Sequence, residues 1–167
     1  MNIVLIGMRG SGKSTVAKLL AKKLDKKFID LDELLSKKVD MTLPKFVKQF
    51  GWEQFRDKES EIAEEISQQT YAVISTGGGV ILRKQNVDAL KKDGKFVYLQ
   101  TSIATMLKRL ESDRSRPALT NKKTLEEELQ QVWEERKTLY ENAADIIIET
   151  DKKTVKEIAD EIISKLN

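Results

Sequence analysis

Short apolar, β-branched runs recur along the chain at Ile3–Ile6, Phe28–Ile29, Ala72–Ile74, Phe96–Leu99 and Ile146–Ile148. Continuous apolar runs of this length suit strands of a parallel sheet, buried on both faces. Between them the apolar positions switch to helical spacing. Val16, Leu19, Leu20 and Leu24 form one stripe, and Ile103, Met106, Leu107 and Leu110 form a second. Val155, Ile158, Ala159, Ile162, Ile163 and Leu166 form a third. Thr124 with Glu127, and Thr154 with Glu157, have the spacing of capping boxes that open helices. Strand and helix alternate, which predicts an α/β three-layer sandwich wound on both sides of a parallel sheet.

Two regions break the alternation. Residues 31–70 carry helical patterns but no strand, which predicts a helical insertion. Residues 113–123, "DRSRPALTNKK", are polar around Pro117 and predict an exposed, mobile loop. There is no repeat, linker or low-complexity run, so residues 1–167 read as one domain.

Composition narrows the chemistry. Lys and Arg number 30 against 27 Asp and Glu, a net charge of +3. That balance is too weak and too evenly mixed to argue for nucleic acid, and it suits a small anionic ligand. The absence of cysteine excludes thiol nucleophiles, disulfides and thiolate metal sites. The absence of histidine excludes imidazole acid–base chemistry and imidazole ligands. Catalysis is left to carboxylates, lysine, arginine, hydroxyls and backbone. "MNIVLIG" is too short to span a bilayer and has no charged leader, so the expectation is a cytoplasmic protein with no membrane partner.

"GMRGSGKS", Gly7 to Ser14, matches G-x-x-x-x-G-K-[ST] and stands between a strand pattern and a helix pattern. Such glycines let backbone N–H groups curl around a phosphate at a helix N-terminus. Lys13 then reaches the β/γ oxygens, and the Ser14 hydroxyl meets Mg²⁺. A nucleoside triphosphate, ATP by preference, is therefore expected. A phosphotransferase, an NTP hydrolase or switch, and a nucleotide-binding module all remain open at this point.

Further residues bear on the choice. "FIDLDE" places Asp30 and Asp32 at the end of the second strand pattern, on one face if the chain stays extended. One acid could serve the Mg²⁺ shell and the other accept the proton of an incoming hydroxyl; alternatively, Asp32 caps the next helix. Arg56 and Glu59 have the spacing of a helical ion pair, solvated or otherwise. Arg136 falls inside the apolar stripe Leu125, Leu129, Val132, Trp133 and Tyr140. A core-facing arginine needs a partner, either a structural carboxylate or an anionic substrate. Arg114 and Arg116 lie in the 113–123 loop, which is either solvated or a lid that brings an arginine onto the transferring phosphoryl group. Gly77, Gly78 and Gly79 follow the third strand pattern. They offer backbone that a ligand can approach closely, or simply a tight turn. Ser75 stands where it could support the Mg²⁺ water shell.

The elements "GMRGSGKS", "DLD", "FRDKE", "STGGG", "SRPAL" and "ERKTLY", in this order, resemble the shikimate kinase family over the whole length of the chain. The resemblance implies a five-stranded sheet of order 2-3-1-4-5. It implies Mg²⁺-dependent transfer from ATP to the 3-hydroxyl of shikimate, in aromatic amino-acid biosynthesis, by a monomer whose only partners are these small molecules. Gly10, Ser11, Gly12, Lys13, Ser14 and Thr15 would bind the ATP phosphates, and Arg109 would stack near adenine. Arg116 would be the lid arginine, and Ser14 and Asp30 would belong to the metal region. Asp32 would be the base. Arg56, Gly78 and Arg136 would hold shikimate over a floor completed by Gly77 and Gly79. A gluconate kinase is the nearest alternative of the same class, and a P-loop switch with no small acceptor is the alternative of another class. Two positions depart from the family pattern. Trp52 stands where glutamate is usual, and Asp40 where a turn glycine is common.

Overall fold

Each of the five apolar runs forms a strand in the computed structural model, which describes residues 1–111, 120–121 and 124–166. The strands are β1 (Asn2–Ile6), β2 (Lys27–Asp30), β3 (Ala72–Ser75), β4 (Gly94–Gln100) and β5 (Ile146–Glu149). All pair in parallel, in the order β2-β3-β1-β4-β5. The helices between them are α1 (Lys13–Leu24), α2 (Leu31–Val39), α3 (Leu43–Ser67), α4 (Lys84–Lys91), α5 (Ile103–Leu110), α6 (Leu125–Ala143) and α7 (Val155–Leu166).

Alternation along β1 divides the core. Ile3 and Leu5 point to a layer built by Val16, Ala17 and Leu20 of α1 and Ile158 and Ile162 of α7. Val4 and Ile6 point to the other layer, which α2 to α6 build. The three central strands are buried on both faces, as their unbroken apolar runs require. The outer run is different: β5 alternates buried and exposed residues, leaving Ile147 41% exposed. An edge strand with a helix on one side only has one face to bury.

Both expected capping boxes are present. Thr124 Oγ1 accepts from the Glu127 N–H, and the Glu127 carboxylate accepts from the Thr124 N–H. Thr154 and Glu157 exchange the same pair of bonds. Residues 31–70 hold α2 and α3, and α3 is broken at Gly51, whose φ of 82° leaves the helical region. Asp40 ends α2 with φ 52°, a left-handed conformation that costs a side chain more than it costs glycine.

Parallel pairing brings the C-terminal ends of β1, β2 and β3 to one rim, with Ser75 in register with both Leu5 and Asp30. The phosphate motif, the aspartates and the triple glycine all leave the sheet there, at the end where open α/β sheets bind ligands.

Candidate active site

The phosphate motif forms the turn from β1 to α1. Gly12 is the N-cap of α1 with φ 88°, and no side chain closes that helix end, so its first amides face the turn. Lys13 is buried and folds back over the turn, its Nζ donating to the carbonyls of Gly7 and Met8 at 2.8 Å each. Gly10, Gly12, Lys13, Ser14, Thr15 and Arg109 line an open depression of about 630 Å³. Arg109 donates to the Gly10 carbonyl at 3.0 Å, so α5 braces the turn from outside. Ser11 is buried beneath it.

Ser14, Asp30 and Ser75 meet beside the turn. The Ser14 hydroxyl donates to Asp30 Oδ2 at 2.6 Å and lies 3.0 Å from Ser75 Oγ. Asp30 also accepts from the Glu33 N–H and so caps α2. This corrects the expectation that Asp30 and Asp32 share one face of an extended strand. The strand ends at Asp30, and Asp32 sits in the first turn of α2. A capping aspartate redirects the chain, and Asp32 faces a different cavity as a result.

That second cavity, about 540 Å³ with its mouth included, lies against the first. Asp32 of α2, Trp52, Phe55, Arg56 and Glu59 of α3, the three glycines, Arg136 of α6 and Arg9 of the phosphate turn all line it. Arg56 and Glu59 are not a solvated pair. Glu59 is fully buried and accepts from Arg56 Nη1 at 2.8 Å. Burial pushes the Glu59 carboxyl above its ordinary range, although Arg56 opposes the shift. Trp52 stands edge-on to Phe55, with ring centroids 5.2 Å apart, and its ring lies 5.0 Å from the Arg56 guanidinium carbon. The departure from the family pattern thus puts an indole against the guanidinium.

The triple glycine answers to close packing. None of the three has positive φ. A Cβ on Gly79 would land on the Arg56 guanidinium, and one on Gly77 would stand 2.8 Å from both Asp32 Oδ1 and Glu59 Oε1. Gly78 is roomier, with the Arg9 backbone nitrogen at 3.4 Å from such a Cβ, and its carbonyl accepts from Tyr140 Oη at 2.6 Å. Arg136 is 7% exposed, and its Nε has no hydrogen-bond partner among the described residues.

Of the 113–123 loop only Thr120 and Asn121 are among the described residues; Arg114 and Arg116 lie outside them. The sequence reading passed over Arg9, Glu128 and Arg83. Arg9 forms a buried ion pair with Glu128, whose position on the apolar stripe of α6 was the same signal that singled out Arg136. Arg83 follows the glycine segment and clamps it to α3 through Asp57 at 2.8 Å and Glu53 at 3.2 Å. Nothing in its local sequence marked that role.

A phosphate-binding turn on a parallel α/β sheet, with a second cavity alongside, defines a P-loop protein of the nucleoside-monophosphate-kinase-like kind. The family model described as "Shikimate kinase" matches residues 9–167. The chain belongs to the shikimate kinase family. A shikimate kinase of Sulfurihydrogenibium sp. is 43% identical over 165 residues, covering 99% of this chain and 97% of its own length. Among solved structures, the shikimate kinase of Acinetobacter baumannii in complex with shikimate is similar at a TM-score of 0.94 and 33% identity, covering 99% of this chain and 92% of that one. The shikimate kinase of Aquifex aeolicus is similar at a TM-score of 0.85 and 34% identity, covering 99% and 96%.

Proposed function

We propose that the protein transfers the γ-phosphoryl group of ATP to the 3-hydroxyl of shikimate, giving ADP and shikimate 3-phosphate for aromatic amino-acid biosynthesis. One observation carries the reading. The cavity beside the phosphate turn is walled by guanidinium groups from two separate helices, Arg56 and Arg136, over side-chain-free backbone. A buried guanidinium with a donor to spare calls for an anion, and the shikimate carboxylate is one. The shikimate-bound relative, alike over nearly the whole chain, supports the same acceptor.

The transfer itself asks mainly for positioning and charge stabilisation. The amides of Gly10 to Thr15 and the Lys13 ammonium hold the ATP phosphates, with Arg109 at the wall of the donor depression. Arg56 and Arg136 grip the acceptor carboxylate and hydroxyls; Gly78 lets the ring approach backbone, while Gly77 and Gly79 make room for Asp32, Glu59 and Arg56 in the floor of the site. Asp32, in the wall of the acceptor cavity, takes the proton from the attacking hydroxyl. Arg116 brings its charge from the 113–123 lid, and residues 31–70 serve as the acceptor-binding insertion of a single domain. The hydroxyls of Ser14 and Ser75 and the Asp30 carboxylate form a hard oxygen set that suits Mg²⁺. Among the described residues no group of three His, Cys, Asp or Glu side chains is placed to hold a metal ion. When bound, the ion neutralises charge on the phosphates. We place the enzyme in the cytoplasm as a monomer; no described helix is long and apolar enough to cross a membrane.

Incubation with Mg-ATP should release ADP only when shikimate is present. ADP release indifferent to shikimate, or equal turnover of gluconate, rejects the reading. Replacing Asp32 by Asn should lower kcat by about 10²- to 10⁴-fold with ATP binding retained, and near-normal turnover would remove Asp32 as the base.

A further inference from the structure

One face of α6 presents Glu128, Val132, Arg136 and Tyr140 in succession, and all four are buried. The two ends of this stripe are fastened to different loops. Near the start, Glu128 is ion-paired with Arg9 of the phosphate turn, the two side chains being 6% and 10% exposed. Glu128 also accepts from the Thr120 N–H at 3.4 Å. Near the end, Tyr140 donates to the Gly78 carbonyl. The two loops run side by side: a Cβ on Gly78 would stand 3.4 Å from the Arg9 nitrogen and 3.6 Å from the Gly7 carbonyl oxygen. Phosphate turn, glycine segment and α6 therefore close a ring, with Arg136 between the two fastenings.

We infer that Arg9 and Glu128 are a positioning pair for the acceptor site: their buried ion pair sets where α6 delivers Arg136. The inference rests on the assignment of Arg136 to the shikimate carboxylate. A guanidinium that must meet a carboxylate in bidentate fashion tolerates little displacement. Arg136 lies just over two turns, about 12 Å, beyond Glu128. At that separation two substitutions normally act independently. Dependence between them is therefore diagnostic.

The test is a double-mutant cycle on shikimate KM with Glu128→Gln and Arg136→Met, each variant checked for Tm and assayed well below it. Glu128→Gln alone should raise shikimate KM about tenfold and change kcat by less than about threefold. In the Arg136→Met background the same replacement should raise KM by less than about twofold, because there is no longer a guanidinium to place. Arg9→Met should behave like Glu128→Gln in both backgrounds. If Glu128→Gln does not fold, Glu128→Asp keeps the charge and shortens the reach. It should raise KM about threefold with the same dependence on Arg136. Penalties that multiply, or an unchanged KM in Glu128→Gln, overturn the positioning role and leave the function standing. An Arg136→Met variant with normal shikimate KM overturns the assignment of Arg136, and this inference with it.

Discussion

The two cavities at the sheet rim are built on opposite plans. The phosphate side is built mainly by one continuous stretch, Gly10 to Thr15, with Thr76, Arg109 and Leu110 completing the wall. Its buried Lys13 donates to carbonyls of its own turn. The acceptor side takes side chains from α2, α3, α6 and the phosphate turn and backbone from the glycine segment, and it holds guanidinium and carboxylate groups out of water. A local motif folds its site with the turn. A dispersed site exists only once the layers have packed, so its specificity depends on contacts between elements.

The largest expected effect separates the two sides. Gly79→Ala would drive a methyl group into the Arg56 guanidinium. Shikimate affinity should fall by about 100-fold, with the ATP dissociation constant within about twofold of the parent, as titration calorimetry would read. Equal losses for both ligands would break the division drawn here. Gly78→Ala, with room for its Cβ, should cost at least about tenfold less affinity than Gly79→Ala. Trp52→Ala removes the ring beside Arg56 and should raise shikimate KM about fivefold, in line with a cation–π contact of about 0.5–2 kcal/mol. An unchanged KM would make the indole mere wall. Asp40→Gly relieves a left-handed aspartate that lines neither cavity and should stabilise the fold by up to about 1 kcal/mol in urea melts, with kinetics unchanged.

The smallest effect concerns pH. Glu59 has a folded value raised above the ordinary 4.5 by burial. Between those values the native chain keeps a proton that the unfolded chain has released. Its contribution to stability therefore falls as pH rises through that window. A Glu59→Gln variant should lack that segment of the Tm profile, and a profile parallel to the parent's would count against the buried carboxyl as its source.

This contrast also governs what could be read from residues alone. The strands were legible because both faces of the central ones are covered, leaving unbroken Ile and Val runs. The phosphate turn was legible because its chemistry is contiguous. Arg136 was legible as a charge on an apolar stripe, and Glu128 carried the same mark. Asp32 was placed by a wrong route: the i, i+2 argument assumed extended chain, while the Asp30 cap starts α2 one residue later. The burial of Glu59, the approach of Arg56 to Gly79 and the partnership of Arg9 with α6 depend on packing between distant segments, for which a single sequence holds no local signal. The space at Gly77 and Gly79 is filled by the protein's own side chains, Asp32, Glu59 and Arg56, which no local pattern around the glycines announces.

The strand order has a consequence for biogenesis. β1 is made first but lies in the middle, and its two neighbours, β3 and β4, appear only at residues 72–75 and 94–100. A chain emerging from the ribosome therefore carries a mostly apolar first strand with no partner before residue 72 and only one before residue 94. The nucleotide loop, which follows directly on β1, gains a scaffold only after that delay.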